Sequence, residues 1–299
     1  MPRTTTISDG TLTVELSSAG AQPMGISRNG IEYLWQGDAR WWPRRAPILF
    51  PTVGLLRDGH AMSAEGEVTL GRHGFARDHE FEVASEGPSS VVYRLASSDA
   101  TRAVYPFDFV LEVGYAVESG ALAQRFAVEN TGVVPLPFSV GAHPAFNVPC
   151  APAHGEAGAP EFDDYVLRFA RPWTIESLPI GAAGLYVPGS PVRLAEDADV
   201  LPLSHELFDE QLTITLQGVP DDVVTLMPAR GGHGVEVRFD GFGFLGVWSA
   251  EGHAPFVAIE PWCGRADDAD ASGVFEEKPG MLVAAPGERV EREIRIRPF

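Results

Sequence analysis

Short runs of alternating apolar and polar residues constrain the fold of this chain most. They recur along the sequence, at residues 11–16, 81–83, 91–95, 109–113, 165–169, 212–216, 235–239 and 293–297. A period of two places alternate side chains on opposite faces of a strand. Turn signals such as Asn29-Gly30 and Asp58-Gly59 separate the runs. The pattern predicts many short strands joined by tight turns.

Helices have little room in this sequence. Its 299 residues include 32 Gly and 25 Pro, and both residue types destabilise a helix interior. No stretch keeps a period of 3.6 residues for more than about three turns. Many strands at regular spacing favour an all-β fold, a large antiparallel β-sandwich. Because no linker interrupts that spacing, we expect residues 1–299 to form a single domain.

Net charge and hydropathy disfavour several classes of function. The formal net charge is -19, which repels nucleic acid. No apolar run approaches the roughly 18 residues of a membrane helix, and the N-terminal residues lack the apolar segment of a signal peptide. Two cysteines do not make a disulfide framework. We therefore expect a cytoplasmic protein, monomeric or homodimeric, without nucleic-acid or membrane partners.

The basic side chains are almost all arginine. The one lysine, Lys278, lies in the sequence EEKPG, where we expect a solvated turn. A Schiff-base lysine needs a desolvated amine. Aldolase and pyridoxal-phosphate mechanisms are therefore disfavoured.

A carboxylate follows a buried strand in residues 256–264, FVAIEPWCG. Residues 256–259 are apolar and predict the strand. Pro261 lacks a backbone donor, so we expect the strand ladder to end there. Glu260 is thus buried at a strand end beside Trp262, which is costly unless the carboxylate is paired or functional. A structural glutamate held by arginine or backbone amides is the alternative.

Two further segments each place one histidine among small residues and an aromatic residue. They are residues 71–78, GRHGFARD, with His73, and residues 139–147, SVGAHPAFN, with His143. A histidine pKa near neutrality suits acid–base catalysis, although a lone histidine is often structural. The eight histidines show no close ligand spacing of a metal site. We therefore expect no metal.

An irregular segment, residues 149–160, follows the His143 segment and is rich in Ala, Gly and Pro. Its position next to His143 predicts that it lies at the rim of the site.

Together the three segments resemble the aldose 1-epimerase (mutarotase) family, in particular its LacX-like branch. The family shows H-G-F-A-R, G-x-H-P-x-F and I-E-P-W segments in this order, and also A-P-I-L-F-P-x-V-G and Y-P-F-x-F segments, matched here at residues 46–54 and 105–109. The resemblance covers nearly the whole chain. It implies the β-sandwich of galactose mutarotases and an isomerase that acts on a small sugar without a cofactor.

The resemblance also implies roles for individual residues. The general acid is His143, and Glu260 is the base that takes the proton of the C1 hydroxyl. We expect Glu260 to be ionised and His143 to be protonated before the reaction begins. The implied sugar ligands are His73, Arg44 in the sequence WPRRAP, and an acid within residues 207–211, for which Asp209 is the candidate. Trp262 is a further candidate from its chemistry, because an indole can stack on a sugar face. Leu55 occupies a usual arginine position, which leaves open whether Arg45 or Arg57 replaces it.

The sequence leaves three alternative functions open. A hexose-6-phosphate mutarotase would use the arginines that crowd the N-terminal third, which are Arg44, Arg45, Arg57, Arg72 and Arg77. The net charge opposes anions at long range and favours a neutral sugar. A glycosidase needs two carboxylates, and only one strong carboxylate motif is present. A non-catalytic carbohydrate-binding protein is the third alternative.

Overall fold

The computed structural model describes residues 2–150 and 160–299. The segment expected at the rim of the site, residues 149–160, thus lies mostly outside the described residues. Within the described part, no helix is long and apolar enough to cross a membrane.

Strands dominate the structure, as the alternating runs predict. In chain order they are β1 (Thr4–Ser8), β2 (Leu12–Ser17), β3 (Gln22–Arg28), β4 (Ile31–Glu32), β5 (Ile48–Leu49), β6 (His60–Ser63), β7 (Gly66–Thr69), β8 (Glu82–Glu86), β9 (Ser90–Ala96), β10 (Phe109–Glu118), β11 (Ala121–Asn130) and β12 (Leu136–Phe138). They continue with β13 (Gly141–Ala142), β14 (Ala145–Asn147), β15 (Tyr165–Ser177), β16 (Val192–Pro202), β17 (Ile214–Leu216), β18 (Val223–Pro228), β19 (Val235–Arg238), β20 (Phe244–Trp248), β21 (Phe256–Trp262), β22 (Leu282–Ala284) and β23 (Arg289–Pro298).

The described helices are short, and each begins at a serine cap. They are α1 (Asp99–Arg102), with Ser98 as its N-cap, and α2 (His205–Gln211), with Ser204 as its N-cap. In each case the serine hydroxyl accepts a hydrogen bond from a backbone N–H of the first turn. Single 3₁₀ turns span Arg57–Gly59, Ala76–Asp78, Phe162–Asp164, Pro220–Asp222 and Phe275–Glu277.

Two large antiparallel sheets form the sandwich. One has nine strands in the order β16-β15-β18-β19-β23-β11-β10-β9-β8. The other has six strands, in the order β17-β20-β21-β13-β5, with β14 also paired to β21. The main apolar cluster contains side chains from both sheets, for example Phe126 of β11 and Ile259 of β21. Burial of apolar surface between the sheets therefore holds them face to face, and the predicted all-β sandwich is confirmed.

The side chains of strand β21 alternate between this core and the opposite face of the six-stranded sheet. Val257 and Ile259 belong to the main core, whereas Phe256 and Ala258 belong to a second apolar cluster. Because side chains alternate along a strand, Glu260 and Trp262 share the face of Phe256 and Ala258. The six-stranded sheet therefore carries core on one side and the candidate site on the other.

Pro261 does not end the ladder, contrary to the sequence-based expectation. It lies opposite Leu245, and the next residue, Trp262, still pairs with Phe244. The N–H groups of Ile259 and Cys263 donate to Pro144 and Val140, so by alternation position 261 faces the same neighbour. At that place β13 and β14 are interrupted at residues 143–144. The neighbouring strand therefore needs no backbone N–H from Pro261, and no hydrogen bond of the ladder is lost.

Candidate active site

His143 lies in that interruption, between β13 and β14. Its backbone N–H donates to Pro47 O at 3.0 Å. The Trp42 ring stacks on the imidazole with centroids 4.7 Å apart, and Trp248 meets it edge-on at 5.6 Å. The two indoles and the backbone bond therefore fix the orientation of a buried imidazole.

Glu260 faces this imidazole from β21. The distance from Glu260 Oε2 to His143 Nε2 is 3.1 Å, and the carboxylate is almost fully buried. Among the described residues, Glu260 Oε2 makes no hydrogen bond of good geometry. The pair is thus close enough for proton exchange, and Glu260 Oε2 can still accept a hydrogen bond.

Burial sets the protonation of this pair. It raises the pKa of Glu260 well above its ordinary value, against the opposing effects of the Trp262 indole and the Arg72 charge. It lowers the pKa of His143 to about 3, with the charges of Arg77, Arg44 and Arg72 acting in the same direction. Both shifts favour uncharged forms. Both shifts oppose the ionised Glu260 and the protonated His143 that the resemblance leads us to expect.

The backbone conformation and hydrogen bonds of His73 determine which ring nitrogen carries the proton. Its φ of 68° lies in the left-handed region, which is strained for a residue other than glycine. The Gly54 N–H donates to His73 Nδ1 at 3.1 Å, and the His73 N–H donates to Gly54 O at 2.8 Å. Burial and the nearby His143 lower the His73 pKa well below its ordinary value. The neutral ring therefore accepts at Nδ1 and carries its proton on Nε2.

These residues share one pocket on the open face of the six-stranded sheet. Five of the aromatic and histidine side chains described above line it. Its lining consists of Trp42, Val53, Gly54, Arg72, His73, Arg77, His143, Ile180, Gly184, Tyr186, Thr213, Trp248, Glu260, Trp262 and Ala266. The structure thus brings together Glu260, His143, His73 and Trp262.

Other predicted site residues lie apart from the lining. Arg44 is at the margin, where its guanidinium pairs with Asp78 at 2.8 Å. Asp209 is exposed on α2 and does not line the pocket. Of the two candidates to replace an arginine at position 55, Arg45 donates to Gln36 at 2.7 Å and Arg57 donates to Ala271 O at 2.8 Å. Neither of these two lines the pocket.

Sequence reasoning missed several lining residues. Tyr186 comes from a segment, residues 178–187, that crosses the sheet; its hydroxyl is 2.6 Å from Thr215 Oγ1 and its N–H donates to Asp267 O. Trp248 and Thr213 also line the pocket without forming part of a motif. Only the pairing of Ile214 with Val247 places Thr213 beside Trp248. No local sequence signal could have identified these residues.

Lys278 contradicts the expectation of a solvated turn. Its side chain is only 1% exposed and lies 3.0 Å from Asp267 Oδ1. The sequence EEKPG does form a turn, beginning with the 3₁₀ turn Phe275–Glu277. The turn nevertheless folds inward, because Asp267 and two carbonyl oxygens offer the ammonium a complete set of acceptors.

The chain was also compared with known proteins and families. The family model for aldose 1-epimerase matches residues 3–167. The plasmid-encoded protein LacX of Lactococcus lactis subsp. lactis is 32% identical over 286 residues, which are 92% of each chain.

Solved structures of similar proteins share the fold of this chain. A galactose mutarotase related enzyme from Lactobacillus acidophilus is 30% identical, with a TM-score of 0.91 over 99% of this chain and 97% of that one. A galactose mutarotase-like protein from Lactobacillus casei is 27% identical, with a TM-score of 0.89 over 99% and 100%. The resemblance read from the motifs and the mutarotase-like sandwich are confirmed.

Proposed function

The chain belongs to the aldose 1-epimerase family, and we propose that it interconverts the α and β anomers of a free aldohexose. The observation that carries this proposal is the buried contact of 3.1 Å between Glu260 Oε2 and His143 Nε2 in an open pocket. Anomer exchange needs one group to take the proton of the C1 hydroxyl and one to give a proton to the ring oxygen of the hemiacetal. An adjacent carboxyl and imidazole suit both tasks.

In the proposed reaction, ionised Glu260 takes the proton of the C1 hydroxyl while protonated His143 donates a proton to the ring oxygen. The bond from C1 to the ring oxygen breaks, and its electrons remain on that oxygen. An open-chain aldehyde results, with Glu260 protonated and His143 neutral. Rotation about the C1–C2 bond presents the other face of the aldehyde, and reversal of the same proton transfers closes the other anomer.

The resting form of the pair matches the state after ring opening. Burial favours protonated Glu260 and neutral His143, and one proton crossing the short contact converts this form into the ionic one. A bound sugar stabilises the ionic form because its hydroxyls donate to the carboxylate. The pair therefore carries a single proton through the whole cycle, and only its location changes.

The surrounding residues orient the sugar. His73 donates from Nε2 to a sugar oxygen, since its Nδ1 is engaged by Gly54. Trp262 offers an apolar face to the ring carbons. We propose that Arg44 acts at the margin through Asp78, because its guanidinium is already paired there. Asp209 has no proposed contact.

Polarimetry on freshly dissolved α-glucose and α-galactose tests the proposal. We expect an enzyme-dependent acceleration that is first order in protein, with no added cofactor. A panel of pentoses and hexoses then gives kcat/KM for each sugar. Binding of a sugar without any acceleration would make the chain a carbohydrate-binding protein and contradict the catalytic proposal.

A second candidate function follows from two arginines of the pocket. Arg72 and Arg77 both line it; Arg77 Nε is buried without a hydrogen-bond partner in the described residues. Burial, together with the positive charge of Arg44, lowers the Arg77 pKa, and Arg72 adds a second guanidinium to the lining. Such a site suits a hexose 6-phosphate.

The two candidate functions predict different ratios of kcat/KM for neutral hexoses and for their 6-phosphates. Long-range repulsion by the net charge of -19 predicts a higher kcat/KM for neutral hexoses than for their 6-phosphates. A preference of about tenfold or more for the phosphates would instead establish the second function. In that case Arg72→Gln should remove the preference for the phosphate while leaving the slower reaction of neutral hexoses.

A further inference from the structure

We propose that Lys278 is a positioning residue for the sugar, whose buried ammonium joins two backbone segments into one wall of the pocket and thereby aims His73. The inference rests on the proposed function, in which His73 holds a sugar oxygen. Lys278 itself does not line the pocket. It would act only through the residues that it holds.

The contacts of the ammonium define the joint. Lys278 Nζ donates to Asp267 Oδ1 at 3.0 Å, to Leu55 O at 3.3 Å and also to Arg265 O. The other carboxylate oxygen of Asp267 accepts from the Arg57 N–H at 2.8 Å. The buried ion pair thus connects residues 55–57 with residues 265–267.

The two connected segments meet at the pocket and reach His73. Gly54 and Ala266 both line the pocket. They approach so closely that a Cβ on Gly54 would lie 2.5 Å from the Ala266 Cβ. Gly54 also makes the pair of backbone and side-chain hydrogen bonds that fix His73. A shift of residues 54–55 away from residues 265–267 would therefore move the His73 imidazole.

The charge of Lys278 acts on the same histidine. Burial is the main cause that lowers the pKa of His73, and the Lys278 ammonium adds to it; both keep the ring neutral and its Nδ1 free to accept. The charged groups that face Lys278 are Asp267, Asp268 and Arg265, the last of which opposes its protonation. Burial is the largest effect and lowers the Lys278 pKa to about 8. Above that pH the Lys278 side chain loses its positive charge.

Stability alone is a weak reason for this ion pair. A buried salt bridge is often replaced by apolar residues without loss of stability, whereas removal of one partner is harmful. The test must therefore separate positioning from folding, and it compares Lys278→Met with the double variant Asp267→Asn/Lys278→Met. The double variant leaves no buried charge unpaired.

We expect the double variant to keep the wild-type unfolding midpoint and to show a KM for the reactive sugar raised by about tenfold or more, with kcat changed much less. The second readout is ¹⁵N NMR of the His73 ring. Wild type should show a neutral ring protonated on Nε2. Both variants should show a mixture of tautomers and a higher His73 pKa.

Failure of the inference differs from failure of the proposed function. If wild type accelerates no sugar, the ¹⁵N spectra still decide the role of Lys278 toward His73. Wild-type tautomer and pKa in a folded double variant would overturn the inference, as would an unchanged KM in an active one. Wild-type KM should also rise above about pH 8 as the Lys278 charge is lost, and a KM constant through the titration of Lys278 would overturn it even if neither variant folds.

Discussion

Opposite pKa shifts link the charges of Glu260 and His143 to folding stability. The unfolded chain holds two protons on these side chains below pH 4.5, one between 4.5 and 6.5, and none above 6.5. The folded pair keeps one proton from about pH 3 to well above pH 4.5. Folding stability follows the difference in bound protons.

The pair therefore predicts a stability profile with a maximum. The raised pKa of Glu260 costs stability as pH rises, and the lowered pKa of His143 costs stability as pH falls. The effects cancel between pH 4.5 and 6.5 and act singly outside that window. The difference in unfolding free energy between wild type and Glu260→Gln/His143→Asn should fall on either side by about 1 kcal/mol per pH unit.

Urea unfolding from pH 4 to pH 8.5, in steps of about half a unit, measures this difference. A difference that does not vary with pH would show that the folded pair titrates as it does in the unfolded chain. The pair would then lack the buried, coupled character on which the proposed mechanism depends.

Single residues were predictable where their chemistry is local. Glu260, His143, His73 and Trp262 lie in motifs, and they meet in the pocket. The resemblance implies Asp209 as a sugar ligand, yet this residue is exposed on α2. Lys278 was misjudged because its partner, Asp267, and the Leu55 carbonyl come from other segments. Acceptors brought by distant segments leave no trace in a local pattern.

At the scale of elements, glycines in the six-stranded sheet shape the pocket. Gly246 of β20 lies opposite Glu260, and a Cβ there would be 2.3 Å from the Trp262 indole. Gly141 of β13 lies opposite Trp262, and a Cβ there would be 2.9 Å from the same ring. The indole thus occupies space that only two glycines leave open.

Gly246→Ala should therefore displace Trp262. We expect a loss of about 1–3 kcal/mol in unfolding free energy, as for overpacked cores, together with a higher KM. Gly114→Ala in β10 is the matched control, because the nearest atom to its added Cβ is 3.8 Å away. The control should keep its stability and activity. Equal effects of the two substitutions, measured by urea unfolding and polarimetry, would contradict this account of the pocket.

The sequence predicts which segments form strands, but it does not predict where strand β21 ends. The period of two predicted strands β10, β15, β19 and β23 because each has one face in the core. The strand β21 was expected to end at Pro261, but it continues through the proline because β13 and β14 leave a gap beside it. That gap also holds His143. It depends on pairing between segments, which local propensity does not specify.

At the scale of the whole molecule, the two large sheets share one apolar cluster. We therefore propose that residues 1–299 unfold as one domain. Far-ultraviolet circular dichroism and tryptophan fluorescence should report the same urea midpoint, because the six tryptophans belong to the same cooperative unit. Two separated transitions would contradict a single domain.

The central claim is that Glu260 and His143 exchange protons with the sugar. The most direct measurement is the kcat of mutarotation by polarimetry for wild type and Glu260→Gln, with sugar binding followed by tryptophan fluorescence. Glu32→Gln is the control, because Glu32 is a partly buried glutamate that accepts from backbone N–H groups outside the pocket.

Glutamine keeps the shape of the side chain but cannot accept the proton. Glu260→Gln should lower kcat by about 10²-fold or more, while sugar binding survives and the Glu32→Gln variant retains wild-type kcat. A Glu260→Gln variant that keeps most of its kcat would contradict the account, since Glu260 would then be a structural carboxylate and the base would lie elsewhere.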